Sequence, residues 1–266
     1  MMSTSVAPGK SLAVESFLFA NRLITHWRRE PVMPTQSLLF PTFLLLTAHL
    51  LVDKSLMRIN GTSGLYSLVP TCAIAGAVFG GLAAGMGIPF ERDCGLLSKL
   101  WLLPVNRSSA LIGRLIAEGA RTFVASAFIT AAGVGLGMRF KGGWLAVIPF
   151  ILIPVLVAVL FSTLVIAIVV RAKRGTVLFW LGVPAMGAAF ASSGVPPVET
   201  MSAWVRPFAQ FQPLAVAIES MRALALGGPA LWPLLLSLMW AVVIAMVGGP
   251  LAVRNYRAGA ENGRLS

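Results

Sequence analysis

The chain has 266 residues, 57% of them hydrophobic and 11% charged, with a mean hydropathy of +0.85 and a formal net charge of +12 from 21 Lys and Arg against 9 Asp and Glu. A soluble domain carries about 25% charged residues, so composition excludes a water-facing surface over most of the chain and points to an all-α membrane protein. The positive excess lies in short clusters between apolar runs, which fits the cytoplasmic loops of a membrane protein and argues against a nucleic-acid-binding face.

In chain order, residues 1–10 lack an apolar core, so no cleavable signal is expected. Residues 11–30 mix Leu12, Phe17, Phe19, Leu23, Ile24 and Trp27 with Glu15, Arg22, His26, Arg28 and Arg29. That pattern predicts an amphipathic interfacial helix on the inner leaflet, broken at Pro31 and Pro34. Uncharged runs follow at 31–52, 59–90, 122–138, 142–170, 175–198 and 223–253. A span needs about 20 apolar residues and two spans with a turn about 36, so each run holds one and six spans are expected. They are placed at 34–53, 65–90, 113–138, 144–170, 175–193 and 229–252, in a single transmembrane domain.

Details along these spans carry further expectations. His49 and Asp53 are four apart in the first span, a titrating pair if their faces meet. The second span contains Gly76, Gly80, Gly81 and Gly85 in small-xxx-small spacing, which lets helices approach closely within the chain or between copies. The third run is short, and extending it back through Leu115 and Ile116 brings Glu118 and Arg121 to the membrane margin. Three apart on one face, they would form an ion pair or snorkel to the interface. Between spans five and six, 194–222 is an extracytoplasmic segment rich in Pro and aromatic residues, including Pro196, Pro197, Trp204, Pro207, Phe211 and Pro213. Its central run, 207–218, is too short to cross and predicts a re-entrant or interfacial piece. Glu219 and Arg222 form a second margin pair near the start of the last helix.

Orientation follows from Lys and Arg. With the N-terminus in the cytoplasm, only Lys54, Arg58, Arg139, Lys141, Arg206 and Arg222 fall outside, and the other fifteen fall inside. An even span count also requires both termini on one side, so both are expected in the cytoplasm of a multi-pass plasma-membrane protein.

Catalytic signatures are missing. There is no G-x-x-x-x-G-K-[ST], G-x-S-x-G or H-E-x-x-H, and no Cys/His spacing suited to a metal. Cys72 lies in an apolar run and Cys94 in a charged loop, so no disulfide is expected. The chain reads as no enzyme, with no metal and no cofactor of its own. A proton-coupled secondary transporter is the competing class; its carriers would be His49, Asp53, Glu118 and Glu219, all of which the sequence puts near span ends.

The loop at 91–107 is the most informative segment. Glu91-Arg92-Asp93 opens it, Gly95 follows, and Leu96, Leu97, Leu100, Trp101 and Leu103 form an apolar helical stretch ending at Pro104, with Arg107 beyond. This predicts a short amphipathic cytoplasmic helix that lies on the membrane or docks in another subunit's groove. Here the sequence resembles the permease subunits of type-2 ATP-binding-cassette exporters, which join their second and third spans by such a Glu-Arg…Pro-x-x-Arg stretch. Gly113-Arg114-Leu115 after it, and Gln212-Pro213-Leu214, Met221-Arg222-Ala223-Leu224 and Gly227-Gly228 before the last span, match the same pattern. Gly64-Leu65-Tyr66-Ser67-Leu68-Val69-Pro70 and Leu100–Val105 are most similar to the actinobacterial daunorubicin-resistance type, whose members export hydrophobic drugs or cell-envelope lipids such as phthiocerol dimycocerosates. Cys94 and Lys99 depart from the commoner pattern.

The resemblance implies an ATP-driven exporter of a hydrophobic or amphiphilic substrate, powered by two copies of a separate P-loop ATPase that holds ATP and Mg2+. It implies a second permease, identical or paralogous, in the same bilayer, and no nucleic acid. The coupling element would be 91–107, with Glu91 and Arg92 making charged contacts, Leu97, Leu100 and Trp101 packing, Pro104 ending the helix and Arg107 completing the motif.

Overall fold

In the computed structural model, residues 12–29, 32–60, 63–93, 109–172, 176–191, 203 and 206–262 are described. All elements among them are helical: α1 (Leu12–Arg29), α2 (Val32–Asn60), α3 (Leu65–Asp93), α4 (Ser109–Gly135), a 3-10 turn (Trp144–Ala146), α5 (Val147–Val169), α6 (Thr176–Phe190), α7 (Arg206–Phe211), α8 (Pro213–Leu226) and α9 (Leu231–Asn262).

Five helical segments are long and apolar enough to cross a membrane: Thr35–Asp53, Leu65–Ile88, Ser109–Gly135, Trp144–Val169 and Leu231–Asn255. The fifth expected span appears as α6, whose 15 residues rise about 22 Å, against a hydrocarbon core of about 30 Å.

α3 is the central helix. It packs against α2, α4, α5, α6 and α8, and 72% of its apolar window is buried, against 17% for that of α2 and 11% for that of α9. Its glycines explain this position, because each is met by a neighbour from the same chain. A Cβ on Gly76 would lie 3.0 Å from Pro41 of α2, on Gly81 3.0 Å from Ser162 Oγ of α5, and on Gly85 3.0 Å from Leu178 of α6. The small-xxx-small spacing of the second span thus serves packing within the bundle.

The apolar core falls into two clusters. One, built on Leu65, Val69, Ile74, Phe150, Ile218 and Met221, lies toward the end where α2 meets α3 and α4 turns back into α5. The other, built on Ile88, Leu111, Val165, Ile166 and Ala252, lies toward the opposite end. Between them the helices bury polar groups: Glu118, Thr122 and Ser126 on α4 and Ser162 on α5 are each at most 3% exposed. The bundle therefore has apolar ends and a polar waist, opposite the glycines of α3.

α1 packs along the first turns of α4. Gly113 makes this possible, since a Cβ there would lie 2.5 Å from Phe19 Cβ and 2.7 Å from the Ser16 carbonyl oxygen. Glu15, Ser16 and Ala20 face this contact and are buried, while Leu12, Val14, Phe17 and Leu18 stay exposed. The protein-facing side of α1 is small and polar, and its large apolar residues point away from the bundle.

The segment before the last span is two helices, α7 and α8, parted where extended Gln212 precedes Pro213 at the first position of α8. The piece expected over 207–218 is thus divided between two helices, the second of which continues to Leu226. That second helix stops at Gly227, which takes a left-handed conformation with φ +70°. Glu219 and Arg222 consequently belong to α8, not to the start of the last helix.

Candidate functional site

The polar waist is built mainly by α4. Glu118 and Arg121 sit one turn apart within the 27-residue helix, in the candidate span Ser109–Gly135. They form an ion pair in which Arg121 Nε donates to Glu118 Oε2 at 3.2 Å and Nη2 donates to Oε1. Side-chain exposure is 9% for Arg121 and 1% for Glu118, so water cannot screen either charge. Gly80 of α3 supplies the room: a Cβ there would overlap Arg121 Nη2 and lie within 2.6 Å of Cζ. Two helices thus cooperate, one donating both charges and the other giving up a side chain to admit the guanidinium. Arg114, two turns earlier, donates to the Ala84 carbonyl of α3 at 3.3 Å.

At the α2–α3 end, Asp53 holds the turn. Its Oδ1 accepts from the Gly64 N–H at 2.7 Å and from Ser63 Oγ at 3.2 Å, capping α3. His49 Nδ1 lies 3.8 Å from the same oxygen, which is ion-pair range only if the imidazole is protonated. Tyr66 donates to the Arg139 carbonyl at 2.9 Å, the Lys141 ammonium lies over the Tyr66 ring at 5.6 Å, and the Lys141 N–H donates to the Ala225 carbonyl at 2.9 Å. Here the backbones of Gly142 and Gly227 pass so close that a Cβ on either would sit 3.2 Å from the other's Cα. Glu219 and Arg222 lie 3.6 Å apart and partly exposed on α8.

The residues proposed for coupling fall differently. Glu91 and Arg92 lie in the last turn of α3, while Leu97, Leu100, Trp101, Pro104 and Arg107 lie outside the described residues. Among the described residues, no group of three or more His, Cys, Asp or Glu could hold a metal ion.

Relatives place this bundle. The family described as ABC-2 family transporter protein matches residues 52–254. The chain belongs to the ABC-2 transporter family. This ABC-2 chain is 32% identical over 245 residues to the probable doxorubicin resistance ABC transporter permease protein DrrC of Mycobacterium tuberculosis, covering 92% of this chain and 89% of that one. It is 26% identical over 218 residues to the putative transport permease ycf38 of Cyanophora paradoxa (79% and 73% covered). It is 24% identical over 263 residues to the daunorubicin resistance ABC transporter permease protein DrrB1 of Streptomyces coeruleorubidus (97% and 91% covered). No solved structure gives a significant match to this ABC-2 chain.

Sequence reasoning found Glu118, Arg121, His49 and Asp53 by spacing alone. It missed Thr122, Ser126 and Ser162 as members of the same buried layer. The available signal was Glu118, Thr122 and Ser126, polar residues that recur every four positions on one face of a membrane helix.

Proposed function

We propose that this chain is the permease subunit of an ATP-driven exporter that moves a hydrophobic or amphiphilic substrate, a drug or a cell-envelope lipid, across the plasma membrane. The observation that carries this reading is the 32% identity to a doxorubicin resistance ABC transporter permease along 92% of the chain. The bundle agrees with it: helices such as α2 and α9 present exposed Leu, Phe, Met and Trp, a surface suited to lipid and to apolar solutes.

The complete unit is two permeases, identical or paralogous, with two copies of a P-loop ATPase that holds ATP and Mg2+; this chain has no ATPase site of its own. Six spans cross the bilayer, with α6 as the fifth and both termini in the cytoplasm. Residues 91–107 are the coupling element, with Glu91 and Arg92 touching the ATPase and Leu97, Leu100 and Trp101 packed beneath. The wide separation of 15 basic residues from 6 supports this orientation.

A proton-driven mechanism draws support from the buried Glu118 carboxylate. Its tie to Arg121 and the family membership argue against it. The deciding experiment is mild-detergent purification from the native membrane, then doxorubicin uptake by inside-out vesicles. A stoichiometric P-loop ATPase and uptake that needs ATP and survives a protonophore are expected. Uptake abolished by the protonophore and indifferent to ATP would overturn the proposal.

A further inference from the structure

The polar waist contains a small cavity bounded by α2, α3 and α4. Pro41 and Gly76 form one side, and Arg121, Thr122, Ser126 and Ile129 the other. Its free space is about one water in size. Thr122 Oγ1 and Ser126 Oγ are fully buried and have no hydrogen-bond partner among the described residues.

Ser162 Oγ on α5 is unpartnered in the same way, but four other helix hydroxyls are not. A hydroxyl in an apolar helix can be satisfied by turning back to the carbonyl four residues earlier. Thr71, Thr130, Thr163 and Ser220 all do so, donating at 2.8, 2.6, 2.8 and 2.7 Å to Ser67, Ser126, Val159 and Val216. Thr122 and Ser126 forgo this bond, one turn apart on the same face of α4, and line the cavity instead. Arg121 borders them. Of the five N–H donors on a guanidinium, Glu118 engages Nε–H and one on Nη2. The cavity wall therefore holds two hydroxyls, each able to donate and to accept, and the remaining guanidinium N–H groups, which only donate, so donors outnumber acceptors. Its other walls, the ring of Pro41 and the bare Gly76, offer no side-chain acceptor. Charge is already balanced by Glu118, so the wall calls for a neutral acceptor and not for an anion.

We propose that this cavity is a binding site for a single neutral oxygen acceptor, held by Thr122, Ser126 and Arg121 at the waist of the bundle. Water and a carbonyl or hydroxyl oxygen of the transported solute share that chemistry. Pro41, whose ring touches Gly76 at 3.0 Å from the ideal Cβ position, is the wall that must move to admit the larger of the two.

The test is the isosteric variant Thr122→Val/Ser126→Ala in the full chain, in lipid nanodiscs. Orphaned hydroxyls carry an uncompensated desolvation cost, so deleting them raises stability; hydroxyls bonded to an acceptor contribute, so deleting them lowers it. A downward shift in Tm is expected, with each single variant shifting the same way, so the outcome does not depend on the double variant accumulating. A Tm that is unchanged or raised both without and with doxorubicin present overturns the site. Doxorubicin transport by the complex, normalised to folded protein, then identifies the occupant. A several-fold rise in KM with kcat retained assigns the site to the solute's oxygen, and unchanged kinetics alongside the lowered Tm assign it to water. The solute arm rests on the exporter reading, whereas the Tm arm does not; a wild-type chain that fails to move doxorubicin therefore overturns that reading and leaves the site to be decided by Tm.

Discussion

Gly80→Ala is the sharpest single test of how the waist is held. The added methyl falls on the Arg121 guanidinium, within 2.6 Å of Cζ and 2.7 Å of Nη1. The guanidinium, the far end of a flexible side chain, must shift, which disturbs both of its hydrogen bonds to Glu118, a carboxylate only 1% exposed. Removing one partner of a buried pair costs about 3–5 kcal/mol. Displacement keeps the arginine nearby and part of the pair intact, so a loss at or below the low end, about 2–3 kcal/mol, is expected. The assay is denaturant or thermal unfolding of the purified chain, read by intrinsic Trp fluorescence. It is repeated in a Glu118→Gln/Arg121→Ala background, where the space beside Gly80 is free and no charge is stranded. There Gly80→Ala is expected to be nearly neutral, leaving a coupling of about 2–3 kcal/mol between the glycine and the pair. Equal costs in the two backgrounds would refute the claim that Gly80 exists to house the guanidinium.

Three further outcomes are expected, two from the packing and one from the proposed coupling role. Asn255→Ala removes the buried 2.6 Å bond from Nδ2 to the Ala167 carbonyl; a loss of about 1 kcal/mol is expected in the same unfolding assay, and a neutral result would deny that bond a role in seating α9. Gly113→Leu drives a side chain into Phe19 and the Ser16 carbonyl, so α1 should lift from α4 and trypsin should cut at Arg28 and Arg29 several-fold faster, whereas an unchanged cleavage rate would show that α1 is anchored by other contacts. Glu91→Ala/Arg92→Ala should leave ATPase turnover in the complex but reduce transport about tenfold or more; retained coupling would remove these residues from the contact.

The helices were legible because a membrane span is a run of apolar residues bounded by charges, and 31–52, 59–90 and 223–253 are such runs. The same rule makes charge a boundary, which is why Glu118 and Arg121 read as margin residues. Their burial depends on a glycine 41 positions away on another helix, and no window along the chain contains that information. The extent of α8 was hidden for a related reason. Glu219 and Arg222 break the apolar run, yet the helix continues through them until Gly227 supplies a left-handed stop. Thr122 and Ser126 look like ordinary small residues of a membrane helix; only the cavity and the absence of a backward hydrogen bond set them apart from Thr130. The family was legible in 91–107, whose pattern of residues is distinctive, although most of that segment lies outside the described residues.

The last helix has a mechanical consequence of its own. Only 11% of its apolar window is buried, and in lipid an exposed Leu gains little by moving against another Leu. Its place is set by its seam on α5, where Gly248 admits Leu164, and, among the described residues, by three polar fastenings: Ser237 to Ser220 at 2.9 Å, Trp240 to the Phe211 carbonyl at 3.0 Å, and Asn255 to Ala167. Two of these lie toward its start and one toward its end, like hinges on a door hung from top and bottom. Its outward face is left to the surroundings, so bilayer thickness acts on this wall more directly than on the buried α3, which keeps the rest of the bundle in register.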